Sequence, residues 1–213
     1  MQPSATVAIN ERSNDMITRG VEVAKLGLGQ SPFPVPEVVV ESLRRHAGEK
    51  DYLPVKGLRK LRHEVAAYHS RVQHVTGDAD DVMIGPGSKE LMFLLQLVYY
   101  GDIIIPTPAW VSYAPQADIV GRKVRWLHTA RESDWKLTPA ALEELCASDP
   151  NRPRILILNY PSNPTGATFT RAELEKLAAV ARRFRVVVLS DEIYGELHHD
   201  GAHESIGTLY PEG

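Results

Sequence analysis

The chain has 213 residues, 24 basic and 27 acidic side chains, a net charge of −3 and one cysteine. That length accommodates one large domain, or one domain with part of a second. The near-balanced charge excludes the strongly basic surface of a nucleic-acid binder or of a protein drawn to anionic membranes.

Met1 to Asp15 is a polar lead without the apolar core of a signal peptide. No apolar run approaches the ~20 residues of a membrane span. Cys146 has no partner for an intrachain disulfide, which fits a reducing compartment. The expectation is a soluble, cytoplasmic protein without nucleic acid or membrane as partner.

Val21–Leu28 leads into a turn-rich stretch, Gly29 to Pro36. Pro36 suits a helix N1 position and Glu37 the first turn, so Glu37–His46 reads as a short helix. A second helix is predicted over Gly57–Val72, with Leu58, Leu61, Val65, Tyr68 and Val72 on one face. Val82–Ile84 reads as a strand, and Ser88–Tyr100 as a helix too apolar to lie on the surface. Asp102–Ile105 is a predicted strand ended by Pro106 and Pro108, and Lys123–His128 another. Thr138 caps a helix with Pro139 at N1 and Leu142 and Leu145 inward. Ile155–Leu158 is an unbroken apolar strand. Thr170 and Glu173 form a capping box for a helix over Arg171–Phe184, which buries Leu174, Leu177, Ala178 and Ala181. Val186–Leu189 is again fully apolar.

Apolar strands alternating with helices predict an α/β fold: a mostly parallel sheet sandwiched between helices. Such sheets bind ligands beyond the carboxyl ends of their strands. The polar clusters Gly85–Lys89, Thr107–Tyr113, Asn159–Gly166 and Ser190–Tyr194 fall there.

Three of these clusters carry chemistry. In Gly85-Pro86-Gly87-Ser88-Lys89-Glu90 the glycines allow close backbone approach and the helix start presents free N–H groups, which suits a phosphate; taken alone, the segment reads first as an ordinary strand-to-helix turn. Asn159-Tyr160-Pro161-Ser162-Asn163-Pro164-Thr165-Gly166 is a rigid turn that can present an asparagine amide to a ligand, or a plain loop. In Ser190-Asp191-Glu192-Ile193-Tyr194, Asp191 ends a buried strand. A carboxylate there needs a positive or hydrogen-bonding partner, such as a protonated pyridine ring; the alternative is a helix N-cap.

Together these motifs resemble the fold-type-I aminotransferases that use pyridoxal 5'-phosphate (class I/II, the aspartate aminotransferase type). The Asn159–Gly166 string is similar to the Asn-Pro-x-Asn-Pro-Thr-Gly signature, with Asn159-Tyr160-Pro161 as its first element. Pro108-Ala109-Trp110 with Tyr113 matches the family's Pro-x-Trp segment. Tyr52 to Gly57 resembles its Tyr-x(4)-Gly segment, although Leu58-Arg59 follows Gly57 directly and the second such pair is Leu61-Arg62. Leu26 to Glu37 resembles the opening segment, with Gln30-Ser31-Pro32 where Glu-Pro-Asp is usual.

The resemblance implies a role for each matching residue. Asp191 pairs with the pyridine nitrogen. Asn163 and Tyr194 hydrogen-bond the ring's phenolate oxygen, Trp110 stacks on the ring, and Gly87, Ser88 and Lys89 meet the phosphate. Tyr52 reaches the phosphate of a partner subunit, implying a homodimer, and Gly29 lies beside the substrate carboxylate. The Asn163–Pro164 bond is implied to be cis. Residues 1–36 correspond to an N-terminal arm and small-domain segment, and residues 37–213 to an incomplete cofactor-binding large domain. The implied activity is amino transfer between an amino acid and a 2-oxo acid.

In the family the cofactor lysine lies a few dozen residues beyond Ser-Asp-Glu-x-Tyr, and a substrate-binding arginine comes from the C-terminal small domain. Gly213 comes before both, so no catalytic residue is assigned. The resemblance implies a fragment whose sheet is opened by missing strands, and which folds poorly and lacks activity alone. The same segments fit a lyase, a cyclopropane-forming synthase or a non-catalytic relative. A dinucleotide binder is disfavoured because Gly85-Pro86-Gly87 lacks the third glycine. Lys89 is a phosphate-loop residue rather than the cofactor lysine. His198, His199, Asp200 and His203 lack the defined constellation of a metal site. The arginines of 182–185 read as a solvated helix end, and Cys146 as a packed thiol.

Overall fold

The computed structural model describes residues 5–27, 29, 31–197 and 201–213. Leu28, Gln30, His198, His199 and Asp200 lie outside the described residues. The chain divides into two compact units, Met1–Leu53 and Pro54–Gly213. No helix among the described residues is long and apolar enough to cross a membrane.

The first unit holds α1 (Ala5–Thr18) and α2 (Glu37–His46). Helix α1 replaces most of the featureless polar lead expected from the sequence. With no acidic first turn and no basic last turn, little in its residues announces where it begins or ends. Pro36 sits at the N-cap of α2 rather than at N1, with extended backbone (φ −55°, ψ 136°). Its carbonyl accepts from Val39 N at 2.9 Å and Val40 N at 3.2 Å.

The second unit opens with α3 (Arg59–Gln73), which starts two residues later than the predicted Gly57. Its predicted apolar face is not part of the described core: Leu61 and Val72 are exposed, and the one buried residue is Arg62. Arg62 donates to Gly57 O at 3.3 Å and also to Ala79 O, so two carbonyls meet the cost of burying it. Helix α4 spans Ser88–Val98. Contrary to expectation it is buried on one side only, through Met92 and Gln96, while Leu94, Leu97 and Val98 are exposed. Val82–Ile84 is not a strand either; Ile84 N donates to Lys56 O at 3.0 Å, and the segment pairs with none of the sheet strands.

The sheet comprises β1 (Asp102–Thr107), β2 (Val124–His128), β3 (Arg154–Asn159) and β4 (Val187–Asp191). All pairs are parallel, in the unbroken order β2-β1-β3-β4. Between the strands run α5 (Tyr113–Ile119), α6 (Pro139–Ala147) and α7 (Arg171–Phe184).

Strand alternation builds the core. Ile103, Ile105, Ile155 and Ile157 pack on one face with Met92 of α4 and Tyr113 and Ala117 of α5. Ile104, Leu156 and Leu158 pack on the other with Leu142 and Cys146 of α6 and Leu174, Leu177, Ala178 and Ala181 of α7. Each such aliphatic side chain contributes roughly 1.5–3 kcal/mol by leaving water. Helices therefore cover β1 and β3 on both faces, as predicted, but β4 is only half-buried along its whole length.

Pro106 lies inside β1, contrary to the expectation that it ends the strand. Ile103 N donates toward β2 and Asp102 N toward β3, so by alternation the missing N–H of Pro106 falls on the β3 side. Pairing with β3 has already stopped there at Ile104, so the proline breaks no ladder bond.

The predicted caps form. Thr138 accepts from Ala141 N with Pro139 following it, and Thr170 and Glu173 make a reciprocal capping box on α7. At the end of α7 the arginines are engaged rather than merely solvated: Arg182 bonds Glu212 and Leu209 O, and Arg183 bonds Glu143.

Candidate active site

The strand order reverses at β1. The chain moves from β1 outward to β2, then returns to place β3 on the other side of β1. Loops leaving the carboxyl ends of β1 and β3 therefore diverge and leave a crevice, the position where open α/β sheets take ligands. A cavity of about 240 Å³ lies there, lined by Ser88 and Met92 of α4, Trp110 and Tyr113 after β1, Asn159 and Asn163 after β3, and Asp191, Ile193 and Tyr194 after β4.

Asp191 is the last residue of β4, in register with Asn159 of β3. Its Oδ2 accepts from Tyr113 Oη at 2.6 Å, and its Oδ1 accepts from Ile193 N at 3.3 Å. One oxygen thus takes part in a local turn, although among the described residues no helix starts there for it to cap, while the carboxylate still borders the cavity. Burial, reinforced by Asp191, pushes the Tyr113 hydroxyl far above its ordinary range, so it remains a donor.

The Asn159–Gly166 turn is held by its first residue. Asn159 Nδ2 donates to Asp191 O at 2.8 Å, and Asn159 Oδ1 accepts from Asn163 N at 2.8 Å. Asn159 thereby spends its amide on backbone and fixes Asn163 in place. Among the described residues no hydrogen bond occupies the Asn163 side-chain amide at the cavity wall. The Asn163–Pro164 bond is cis, as the resemblance implied, and so are Thr107–Pro108 and Tyr160–Pro161.

At the start of α4, Gly87 has φ 104° and ψ 153°, a left-handed conformation that excludes most other residues. Among the described residues no backbone acceptor takes the N–H of Ser88 or Lys89. The helix therefore begins with free donors and the positive end of its dipole beside the cavity. Gln116 Nε2 donates to Lys89 O at 2.8 Å and Gln96 Nε2 donates to Gln116 Oε1 at 3.0 Å, tying this turn to α5. Lys89 Nζ stands 5.3 Å from the Trp110 ring centre, and the Tyr113 ring meets Trp110 edge-on at 5.4 Å.

The structure thus brings Ser88, Trp110, Asn163, Asp191 and Tyr194 to one cavity, with Gly87 and Lys89 flanking it. Gly29 and Tyr52 belong to the first unit, where both are exposed. Tyr113 and Asn159 fall inside the matched segments, but the resemblance assigns neither a role at the site. Tyr113 lies three residues beyond Trp110, at the start of α5, and belongs to the matched Pro-x-Trp segment, the signal that could have revealed it. The resemblance singles out Asn163, but nothing in the sequence shows that Asn159, which also lines the cavity, spends its amide on backbone.

Behind Asp191, Glu192 Oε1 accepts from Ser190 Oγ at 2.6 Å, Ser205 Oγ at 2.9 Å and Tyr160 Oη at 3.1 Å, and Oε2 meets His203 Nε2 at 2.6 Å. Burial pushes this carboxyl up, but His203, Ser190 and Ser205 outweigh it and hold the group below the ordinary carboxylate range. His203 is therefore occupied. His198, His199 and Asp200 lie outside the described residues, and among the described residues no group of three or more His, Cys, Asp or Glu side chains stands ready for a metal.

A parallel α/β sheet with an acid, an asparagine, an aromatic ring and a free helix start converging at its switch point presents the donor types that would suit an anionic, ring-containing ligand. Comparison with known proteins gives the family. Residues 21–210 match the model of the aminotransferases of class I and II, and the chain belongs to that family. It is 35% identical over its whole length to an aspartate aminotransferase of Geobacillus stearothermophilus, covering 55% of that protein. It is 31% identical to an asparagine–oxo-acid transaminase of Streptococcus mutans, over 95% of the chain and 52% of the relative. The structure of an aspartate aminotransferase from Thermus thermophilus with maleate superposes with a TM-score of 0.91 at 33% identity, over 100% of this chain and 56% of that one. The chain thus spans about half the length of the curated relatives it matches.

Proposed function

We propose that the whole protein is an aminotransferase that uses pyridoxal 5'-phosphate to move an amino group between an amino acid and a 2-oxo acid. The observation that carries this reading is the single cavity lined by Ser88, Trp110, Asn163, Asp191 and Tyr194. The donor set suits the cofactor's chemistry: free N–H groups at a helix start for a phosphate, a carboxylate for a ring N–H, an uncommitted amide and a phenol for a ring oxygen, and an indole for a ring face.

When bound, pyridoxal phosphate supplies a ring that withdraws electrons from the substrate's α-carbon. The chain's residues prepare for this. Asp191, oriented by Tyr113, would hold a proton at the ring nitrogen. Asn163, fixed through Asn159, and Tyr194 would donate to the ring oxygen. Trp110 would cover one face and exclude water from it. Gly87, Ser88 and Lys89 would bind the phosphate. Gly29 would meet the substrate carboxylate. Tyr52, fully exposed in the described chain, would reach the phosphate in the second subunit of a homodimer. Residues 37–213 would carry the cofactor-binding domain and residues 1–36 an arm and small-domain segment. The names of the relatives put aspartate first among donors to test. The enzyme would work in the cytoplasm, the lone Cys146 fitting a reducing compartment.

The test is to add pyridoxal phosphate to the whole protein and record its visible absorbance, then to follow ¹⁵N from labelled aspartate and other amino acids into 2-oxo acids. A bound visible band and labelled product are expected. A protein that neither takes up the cofactor nor transfers nitrogen overturns the reading.

A further inference from the structure

Adjacent carboxylates at the end of β4 have separate partners. Asp191 lines the cavity and is met by Tyr113, whereas Glu192 is met by Ser190, Ser205, Tyr160 and His203. The donors to Glu192 are themselves fixed. Tyr160 Oη accepts from Ile206 N at 2.8 Å, and Ser205 Oγ accepts from Gly207 N at 3.2 Å, so each hydroxyl has its proton committed to the carboxylate. Tyr160 is fully buried, and its ring lies 5.3 Å from that of His203. His203 is also packed against Gly195: a Cβ at that position would stand 3.1 Å from His203 Cδ2 and 3.1 Å from Glu192 O. The His203 side chain is 6% exposed, and its Nδ1 is buried without a partner among the described residues. A polar atom left unsatisfied costs stability. The arrangement therefore holds the imidazole for its single bond to Glu192 at some expense.

The network joins two segments that each bring site residues. Tyr160 follows Asn159 and precedes the turn of Asn163, while Glu192 lies between Asp191 and Tyr194. We propose that Glu192, clamped by His203, is the positioning residue that sets the direction of Asp191 and Tyr194 relative to Asn163. It touches neither cofactor nor substrate itself. Glu192, locked by four partners, fixes the backbone that it shares with Asp191, so a displacement of one shifts the other, and small displacements of a reacting constellation are costly.

The inference rests on the proposed function, and its test separates the two. In the whole protein, Glu192→Gln and His203→Leu are compared with His203→Gln, whose amide can still donate to Glu192. Two readouts do not require turnover: the dissociation constant of pyridoxal phosphate and the pH midpoint of its bound visible band. Glu192→Gln and His203→Leu are expected to weaken cofactor binding by about tenfold and to move the midpoint by about half a unit. His203→Gln should stay within about threefold of the parent. If Glu192→Gln or His203→Leu does not fold, Ser205→Ala decides: it removes one of the donors and should shift both readouts less, in the same direction. Variants that melt as the parent does and leave both readouts in place overturn the positioning role. A parent protein with no bound band overturns the functional reading instead.

Discussion

The Tyr113 hydroxyl donates to Asp191 Oδ2 at 2.6 Å, joining the first turn of α5 to the last residue of β4 across the cavity. Burial and the neighbouring carboxylate keep this phenol protonated well past its usual range, so the bond persists across working pH. Tyr113→Phe removes the donor but retains the ring packed among Ile103, Ile105 and Ala117. The expected loss of stability is about 1 kcal/mol in chemical denaturation, because Asp191 is only half-buried. In the whole protein the proposed amino transfer should fall by roughly tenfold through a less fixed Asp191. Unchanged activity with the expected stability loss would limit Tyr113 to a structural role.

Asp102 supplies the clearest pH dependence. It is 1% exposed, and its carboxylate receives Arg152 at 2.7 Å and Arg125 at 2.9 Å. Burial raises its pKa, but the two guanidinium groups outweigh burial and hold it below the ordinary value of 3.8. The sign follows from that depression. The stabilisation is fully present above about pH 4, the unfolded value, and is lost as pH falls through the lower folded value. Asp102→Asn should cost about 2 kcal/mol at neutral pH, the arginines being partly exposed. In urea titrations from pH 7 to pH 2 the parent should lose stability more steeply below pH 4 than the variant. Parallel curves would show that the pair contributes nothing through ionisation.

Much of this architecture is legible in the residues, for identifiable reasons. Helix α7 carries a capping box and a buried stripe, two independent signals that agree, and its predicted limits coincide with the observed Arg171–Phe184. Strands β1 and β3 are apolar at every central position because helices cover both faces. Failures occur where burial depends on neighbours that periodicity cannot name. The stripe on α3 is present in sequence, yet Leu61 and Val72 remain exposed. Pro106 looks like a terminator because the sequence does not show which side of β1 its nitrogen faces. At the site, the motif strings pointed to Asn163, Asp191, Trp110 and Tyr194, which converge. Asn159, Tyr113 and the Glu192 clamp act through hydrogen bonds between segments far apart in the chain, and no local pattern encodes those.

Leu174 tests how far the sheet depends on α7. It is fully buried among Leu156, Leu177 and Phe169 in one continuous cluster. Leu174→Ala leaves a cavity that rigid strands on one side cannot fill, with an expected cost of about 2–5 kcal/mol. The loss should appear as a lower denaturation midpoint with an unchanged slope. A cost below about 1 kcal/mol would mean that the helix relaxes into the space.

Trp110 offers an optical test of the cavity. Three tryptophans are present; Trp110 lines the cavity, Trp126 lies half exposed on β2, and Trp135, also half exposed, lines an adjoining pocket that shares Tyr113, Asn159 and Asn163 with it. Pyridoxal phosphate bound against an indole should quench its fluorescence. Titration of the whole protein should therefore quench emission, and Trp110→Phe should remove most of the change while retaining binding within about tenfold. Equal quenching in parent and variant would place the cofactor away from Trp110.

Asp191→Asn separates charge from shape at the centre of the site. The amide oxygen can still accept from Tyr113 or Ile193, and the substitution is close to isosteric, so folding stability should change by no more than about 1 kcal/mol. The amide nitrogen, however, is a donor without charge. It cannot stabilise a proton on a ring nitrogen, and a ring without that proton withdraws electrons less strongly. The loss should therefore fall on the chemical step: single-turnover rates with a saturating amino acid should drop at least about 100-fold. The dissociation constant of the cofactor should rise much less, because phosphate and ring-face contacts remain. A variant that keeps parental single-turnover rates would show that the carboxylate serves the turn at Ile193 rather than the chemistry, and the assignment of the ring nitrogen to Asp191 would be withdrawn.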